Sequence, residues 1–121
     1  MRSLLFIFIG GGAGSVLRYL LSVGAQRFWI VRSFPLGTFL ANIIGCFLIG
    51  VLVSALVKSD LHLRLLLITG FCGGFTTFSA FSVESVSLWQ SGQFTVLAIY
   101  ILLSVILGLA AVWLGQSIVK W

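Results

Sequence analysis

Four stretches of this chain, about residues 3–28, 36–57, 63–89 and 94–118, are each apolar over the roughly 20 residues that an α-helix needs to cross the hydrocarbon of a bilayer. Together they take up nearly all of the 121 residues. A water-soluble fold of this length would have too little interior to hide so much apolar side chain. Composition points the same way, with 60% hydrophobic and 7% charged residues and a mean hydropathy of +1.24. The expected fold class is therefore an all-α membrane protein, one transmembrane domain over residues 1–121 with four helices. The connections are short: "WIVRSFP" with the only proline, "KSDLHLR" with the only histidine, and "QSGQ". The first apolar run passes through Gly10 to Gly14 and on to Leu21 with no small-residue cleavage site, which predicts that it stays as the first span.

The formal net charge of +5 comes from Arg2, Arg18, Arg27, Arg32, Lys58, Arg64 and Lys120 against Asp60 and Glu84. These residues lie mostly at span ends rather than in a stripe, which suits anchoring at a membrane surface and not a nucleic-acid partner. Four spans put both termini on one side, with Arg2, Lys58, Arg64 and Lys120 there and Arg27 and Arg32 opposite. That bias is weak and Arg18 blurs it, so the chain is expected to insert in both orientations. Cys46 and Cys72 fall within spans, without paired spacing or a histidine partner, and read as small packing residues. "LLFIFIGGGAGS" has the look of a strand entering a dinucleotide-binding loop, but Ser15 replaces the last glycine and the first acid of the chain is Asp60. Gly10, Gly14 and Arg18 instead recur at four-residue spacing on one helix face, where small residues admit a second backbone at close range.

Polar groups inside a span are costly, so each marks a pathway or a packing bond. In the second span Thr38 and Asn42 share a face, and Asn42 has two amide hydrogens to offer a ligand or a neighbouring helix. Arg18 either snorkels toward an interface or serves a site. Glu84 can pair with an arginine or line a wet passage. On the fourth span Tyr100, Ser104 and Gly108 form a stripe that suits an aqueous wall or a packing seam. The third span carries "GFCGGFTTFSAFSVE". Gly73 and Gly74 are expected to end a helix there in the left-handed conformation, and Thr76 or Thr77 to cap the helix that restarts. Carbonyls exposed by such a break cost several kcal/mol each against lipid, so they must face protein, water or a hard cation such as sodium. Beyond the break, Phe78 and Phe81 share a face. Such a stripe is usually core packing, but electropositive ring edges facing a polar passage can also meet a small anion without a full positive charge.

In "GGGAGSVLRY", "PLGTFLANIIGCFLIG" and "GFCGGFTTFSAFSVE" the chain resembles the Fluc (CrcB) family of fluoride channels along its whole length. The resemblance implies a passive fluoride-selective channel in the cell membrane, in bacteria the inner membrane, exporting fluoride from the cytoplasm. It implies an antiparallel, dual-topology homodimer with two pores along the subunit interface and one structural sodium ion at the centre. By motif position, Asn42 is the pore amide donor and Phe78 and Phe81 the aromatic pair that meets fluoride. Thr38, Tyr100 and Ser104 belong to the polar lining, Arg18 to the vestibule, and the carbonyls of Gly73 and Thr76 to the sodium site. Glu84 and Thr77 are polar residues without an assigned role. Family members often carry a hydroxyl where this chain has Gly108.

A different mechanism class, a small dual-topology proton-coupled exporter, also needs only four helices per subunit. It requires a membrane-embedded carboxylate to alternate between proton and substrate, and Glu84 is the sole candidate. A structural subunit of a larger complex is a third reading, against which the break and the polar stripe both argue. No nucleophile, base and acid converge in these segments, so no enzyme is expected.

Overall fold

The computed structural model describes the backbone of residues 1–28 and 33–120. Arg32, expected opposite the termini, lies outside the described residues. The helices are α1 (Arg2–Phe28), α2 (Leu36–Ala55), α3 (Leu61–Arg64), a π-helical segment (Leu65–Cys72), α4 (Gly73–Phe75), α5 (Phe78–Gln90) and α6 (Phe94–Lys120). Among the described residues there is no strand. Four stretches are long and apolar enough to cross a membrane: Arg2–Arg27, Leu36–Ala55, Leu61–Gln90 and Phe94–Val119. The expected all-α membrane fold and the interrupted third span are both present.

Local chemistry sets the ends. The Asp60 carboxylate accepts from the N–H of His62 at 3.1 Å and so caps α3. At the far end of the span, Gly92 adopts φ +76. The N–H of Gly92 bonds to Trp89 O at 3.1 Å and that of Gln93 to Leu88 O at 3.0 Å, the paired closure that lets a glycine stop α5.

The four spans pack as two interlocked pairs, α1 with the π-helical segment and α4, and α2 with α6. Glycines make both contacts possible. A Cβ at Gly10 would strike Leu66 O and lie 2.9 Å from Phe71 N, and one at Gly14 would strike Phe71 O and lie 2.8 Å from Phe75 N. The face predicted from the Gly10–Gly14 spacing is thus a backbone-to-backbone seam. From the other side, Gly70 and Gly74 meet Ile7 O and Gly11 O. In the second pair, Gly50 lies against the backbone of Val112 and Gly115 against Phe47 O.

The break does not fall where the glycines suggest. Gly73 is right-handed helical, with φ −62 and ψ −38, and α4 continues to Phe75. Thr76 (φ −88, ψ 157) and Thr77 (φ −151, ψ 118) carry the extended stretch. Gly74 is small because α1 passes against it, and no left-handed cap is used there. The helix ends instead with the N–H and hydroxyl of Thr76 both donated to Cys72 O, at 3.0 and 2.9 Å. Thr77 then caps α5, its hydroxyl oxygen accepting from the N–H of Ala80 at 3.1 Å.

Candidate functional site

The extended residues of the break need partners for their backbone groups, and α2 supplies them through one side chain. Asn42 Nδ2 donates to Thr77 O at 3.1 Å, and Asn42 Oδ1 accepts from Thr77 N at 2.8 Å. This two-point bond fixes which way the amide faces, because the carbonyl of Thr77 needs a donor and its N–H an acceptor. One amide hydrogen of Asn42 remains outside the pair. The bond also removes the Thr77 N–H from Gly73 O, its partner in an uninterrupted helix.

On the other side of the break, Arg18 Nε donates to Gly74 O at 3.2 Å, with Ser15 Oγ at 3.5 Å from the same oxygen. The guanidinium therefore sits at the negative end of the first half-helix, where a cation is favoured. Here Arg18 is engaged with the third span rather than only reaching for an interface. Gly73 is exposed, and a Cβ there would meet nothing within 4 Å.

Beside the break lies an open groove of about 350 Å³, lined by Asn42, Cys46, Ile49, Thr76, Thr77, Phe78, Phe81, Ser104 and Val105. Phe78 and Phe81 form its aromatic wall, with ring centroids 5.8 Å apart and planes tilted by 40°. Phe78 is 78% exposed on this single chain. Ser104 Oγ is buried, with no hydrogen-bond partner among the described residues. Asn42, Phe78, Phe81, Ser104, Thr76 and Thr77, scattered over three spans in the sequence, thus meet in one place.

Thr38, Tyr100 and Glu84 do not line that groove. They form a second cluster in which Glu84 Oε2 accepts from Thr38 Oγ1 at 3.0 Å and Oε1 from Tyr100 OH at 3.2 Å. Among the described residues no arginine pairs with Glu84. The carboxylate borders a polar cavity of about 430 Å³, whose other walls include Gln26, Ser33, Ser87, Ser91 and Gln93. Tyr100 joins the two regions, since its ring also packs 5.1 Å from that of Phe81.

Cys46 is a groove residue that sequence reasoning assigned to packing alone. The signal was available, because it follows Asn42 by one helical turn and shares its face. Cys72 is buried as a free thiol, in keeping with a packing role.

A family model described as CrcB-like protein, Camphor Resistance (CrcB), matches residues 5–116. A protein of Flavobacterium psychrophilum named fluoride-specific ion channel FluC is 47% identical, over 99% of this chain and 98% of that protein. Proteins of the same name from Phocaeicola vulgatus and Azobacteroides pseudotrichonymphae are 51% and 44% identical, covering 95% and 100% of this chain and 96% and 98% of their own lengths. With the family model and these relatives matched nearly end to end, this four-span, multi-pass membrane protein belongs to the CrcB family.

Proposed function

We propose that the chain forms a fluoride-selective channel that lets fluoride leave the cytoplasm passively. The family is one of ion channels and not of enzymes. The observation that carries the reading is the groove at the helix break, where two phenylalanine rings, an amide and a serine hydroxyl without a partner among the described residues converge. Ring edges and neutral donors attract a small anion without holding it as a full charge would, which suits rapid passage. In this reading Phe78 and Phe81 offer their edges, Asn42 its remaining amide hydrogen and Ser104 its hydroxyl. Thr38 and Tyr100 extend the polar lining, and Arg18 holds positive potential at the vestibule.

The working unit is an antiparallel homodimer with both orientations in one membrane, two pores at the interface and a structural sodium ion at the centre. The exposure of Phe78 supports it, since a second copy would cover that ring. For sodium, the support is a Gly73 carbonyl deprived of its helical donor and open space around that residue. The carbonyls of Gly73 and Thr76 would hold the ion, which would neutralise the facing half-helix ends.

Efflux from sealed liposomes containing the purified protein tests the reading. Fluoride should leave rapidly down its gradient without any proton gradient, and chloride should stay. Cation efflux that depends on protons would instead support the exporter, with Glu84 as its carboxylate.

A further inference from the structure

α5 is the least supported part of the bundle. It packs on α6, touches α2 and, among the described residues, makes no packing contact with α1. Its outward residues Val83 and Trp89 are 65% and 62% exposed. Beyond its N-cap, this helix is tied to the other spans among the described residues by Glu84, which takes one hydroxyl from α2 and one from α6. Both donors are enclosed, Thr38 at 7% and Tyr100 at 0% exposure. Among the described residues neither hydroxyl has another hydrogen-bond partner. The Tyr100 ring is wedged between Phe34, 5.4 Å away at 80°, and Phe81, 5.1 Å away at 46°. Turning that ring would break its bond to Glu84 and disturb both neighbours.

We propose that Glu84 is a positioning residue, which locks Tyr100 by a hydrogen bond and thereby sets the Phe81 ring against the groove. Phe81 is bound to this arrangement twice. It precedes Glu84 by one turn of α5, and its ring packs at a tilt on the tyrosine that Glu84 holds. Phe78 contacts Phe81 at 5.8 Å but lies free of Tyr100 and largely exposed. The two rings of the aromatic wall therefore differ: one is set by the carboxylate and the other is not. The inference rests on the fluoride-channel reading for its meaning, but the ring geometry can be tested without it.

The experiment places para-fluorophenylalanine at position 78 or 81 in separate preparations and records fluorine NMR spectra of the reconstituted protein. Glu84→Ala and Tyr100→Phe should each move the resonance of the label at 81 clearly more than that at 78, which feels the change only through its contact with Phe81. Unlabelled Glu84→Ala should conduct fluoride several-fold more slowly, because Tyr100 loses its acceptor and the Phe81 ring its fixed position against the groove. Glu84→Gln keeps an acceptor for Tyr100 and should conduct within about twofold of the parent. An unmoved resonance at 81, equal movement at both labels, or a glutamine variant as slow as the alanine one would overturn the positioning role. The last result would assign the carboxylate's charge to the ion itself. If Glu84→Ala does not fold, Tyr100→Phe, which keeps the ring and its packing, decides by the same spectra. A parental protein that passes no fluoride sinks the channel reading, while the two labels still judge the geometry.

Discussion

The third span contains two halves built on opposite principles. From Leu61 to Phe75 it is held by α1 at backbone range, with glycines on both partners replacing side chains as the contact surface. From Phe78 to Gln90 it is held by side chains, a threonine cap at its start and hydroxyls on Glu84 near its middle. A glycine seam leaves little freedom, because the backbones themselves are the packing atoms. The second half can present large aromatic rings to a groove because its own contacts lie elsewhere. Rigidity and chemistry are thus separated at Thr76 and Thr77, within one membrane crossing.

The largest effect should come from filling the seam. Gly14→Leu drives a side chain into Phe71 and Phe75 backbone atoms that cannot yield without parting two helices. The expected outcome is loss of the folded protein from a sizing column, whereas Gly73→Ala on the third span, where an added Cβ meets nothing within 4 Å, should elute as the parent does. Equal behaviour of the two variants would show that the glycine seam is not what holds the first half.

The next effect separates conduction from folding. Phe78→Ile and Phe81→Ile keep bulk but delete the ring edge, at a packing cost below about 1.5 kcal/mol. Fluoride efflux should fall more than tenfold or so, with methionine variants in between because a thioether is polarizable. Intact isoleucine variants that conduct at the parental rate would return both rings to ordinary packing.

Asn42→Asp tests the hinge between the halves. The Thr77 N–H keeps its acceptor, but the Thr77 carbonyl then faces an oxygen instead of an amide donor. A stability loss of about 1–3 kcal/mol is expected, together with slower efflux, since an ionised side chain repels the anion. Unchanged efflux from the folded variant would remove Asn42 from the path. The smallest effect belongs to Thr77→Ala, which deletes the cap on Ala80 and should cost about 1 kcal/mol in thermal unfolding. A larger loss would mean that the cap secures more than the first turn of α5.

What could be read from the residues divides along the same line. The spans were legible because hydropathy over about 20 residues is a property of the chain alone, and the ends shift by only a few positions, as at Ala55 and Leu61. The Gly10–Gly14 face was legible because spacing within one helix fixes which residues lie together. Spacing does not name the partner. The bond between Asn42 and Thr77 spans 35 positions and that between Thr38 and Glu84 spans 46, so neither has a local signature. For the same reason the Gly50 and Gly115 contacts went unread. The break lies a few residues beyond Gly73 and Gly74 because these glycines suit either a stop or a close approach, and only the neighbouring α1 decides between them.

The pairing of α1 with the third span and of α2 with α6 also sets the order of assembly during synthesis. Neither pair joins consecutive spans, so the first two helices enter the membrane before their main partners have been translated. α2 waits longer, since the segment that covers Gly50 follows the third span in the chain. Until then its glycine face lies bare to lipid, and the bundle closes only once α6 has been made.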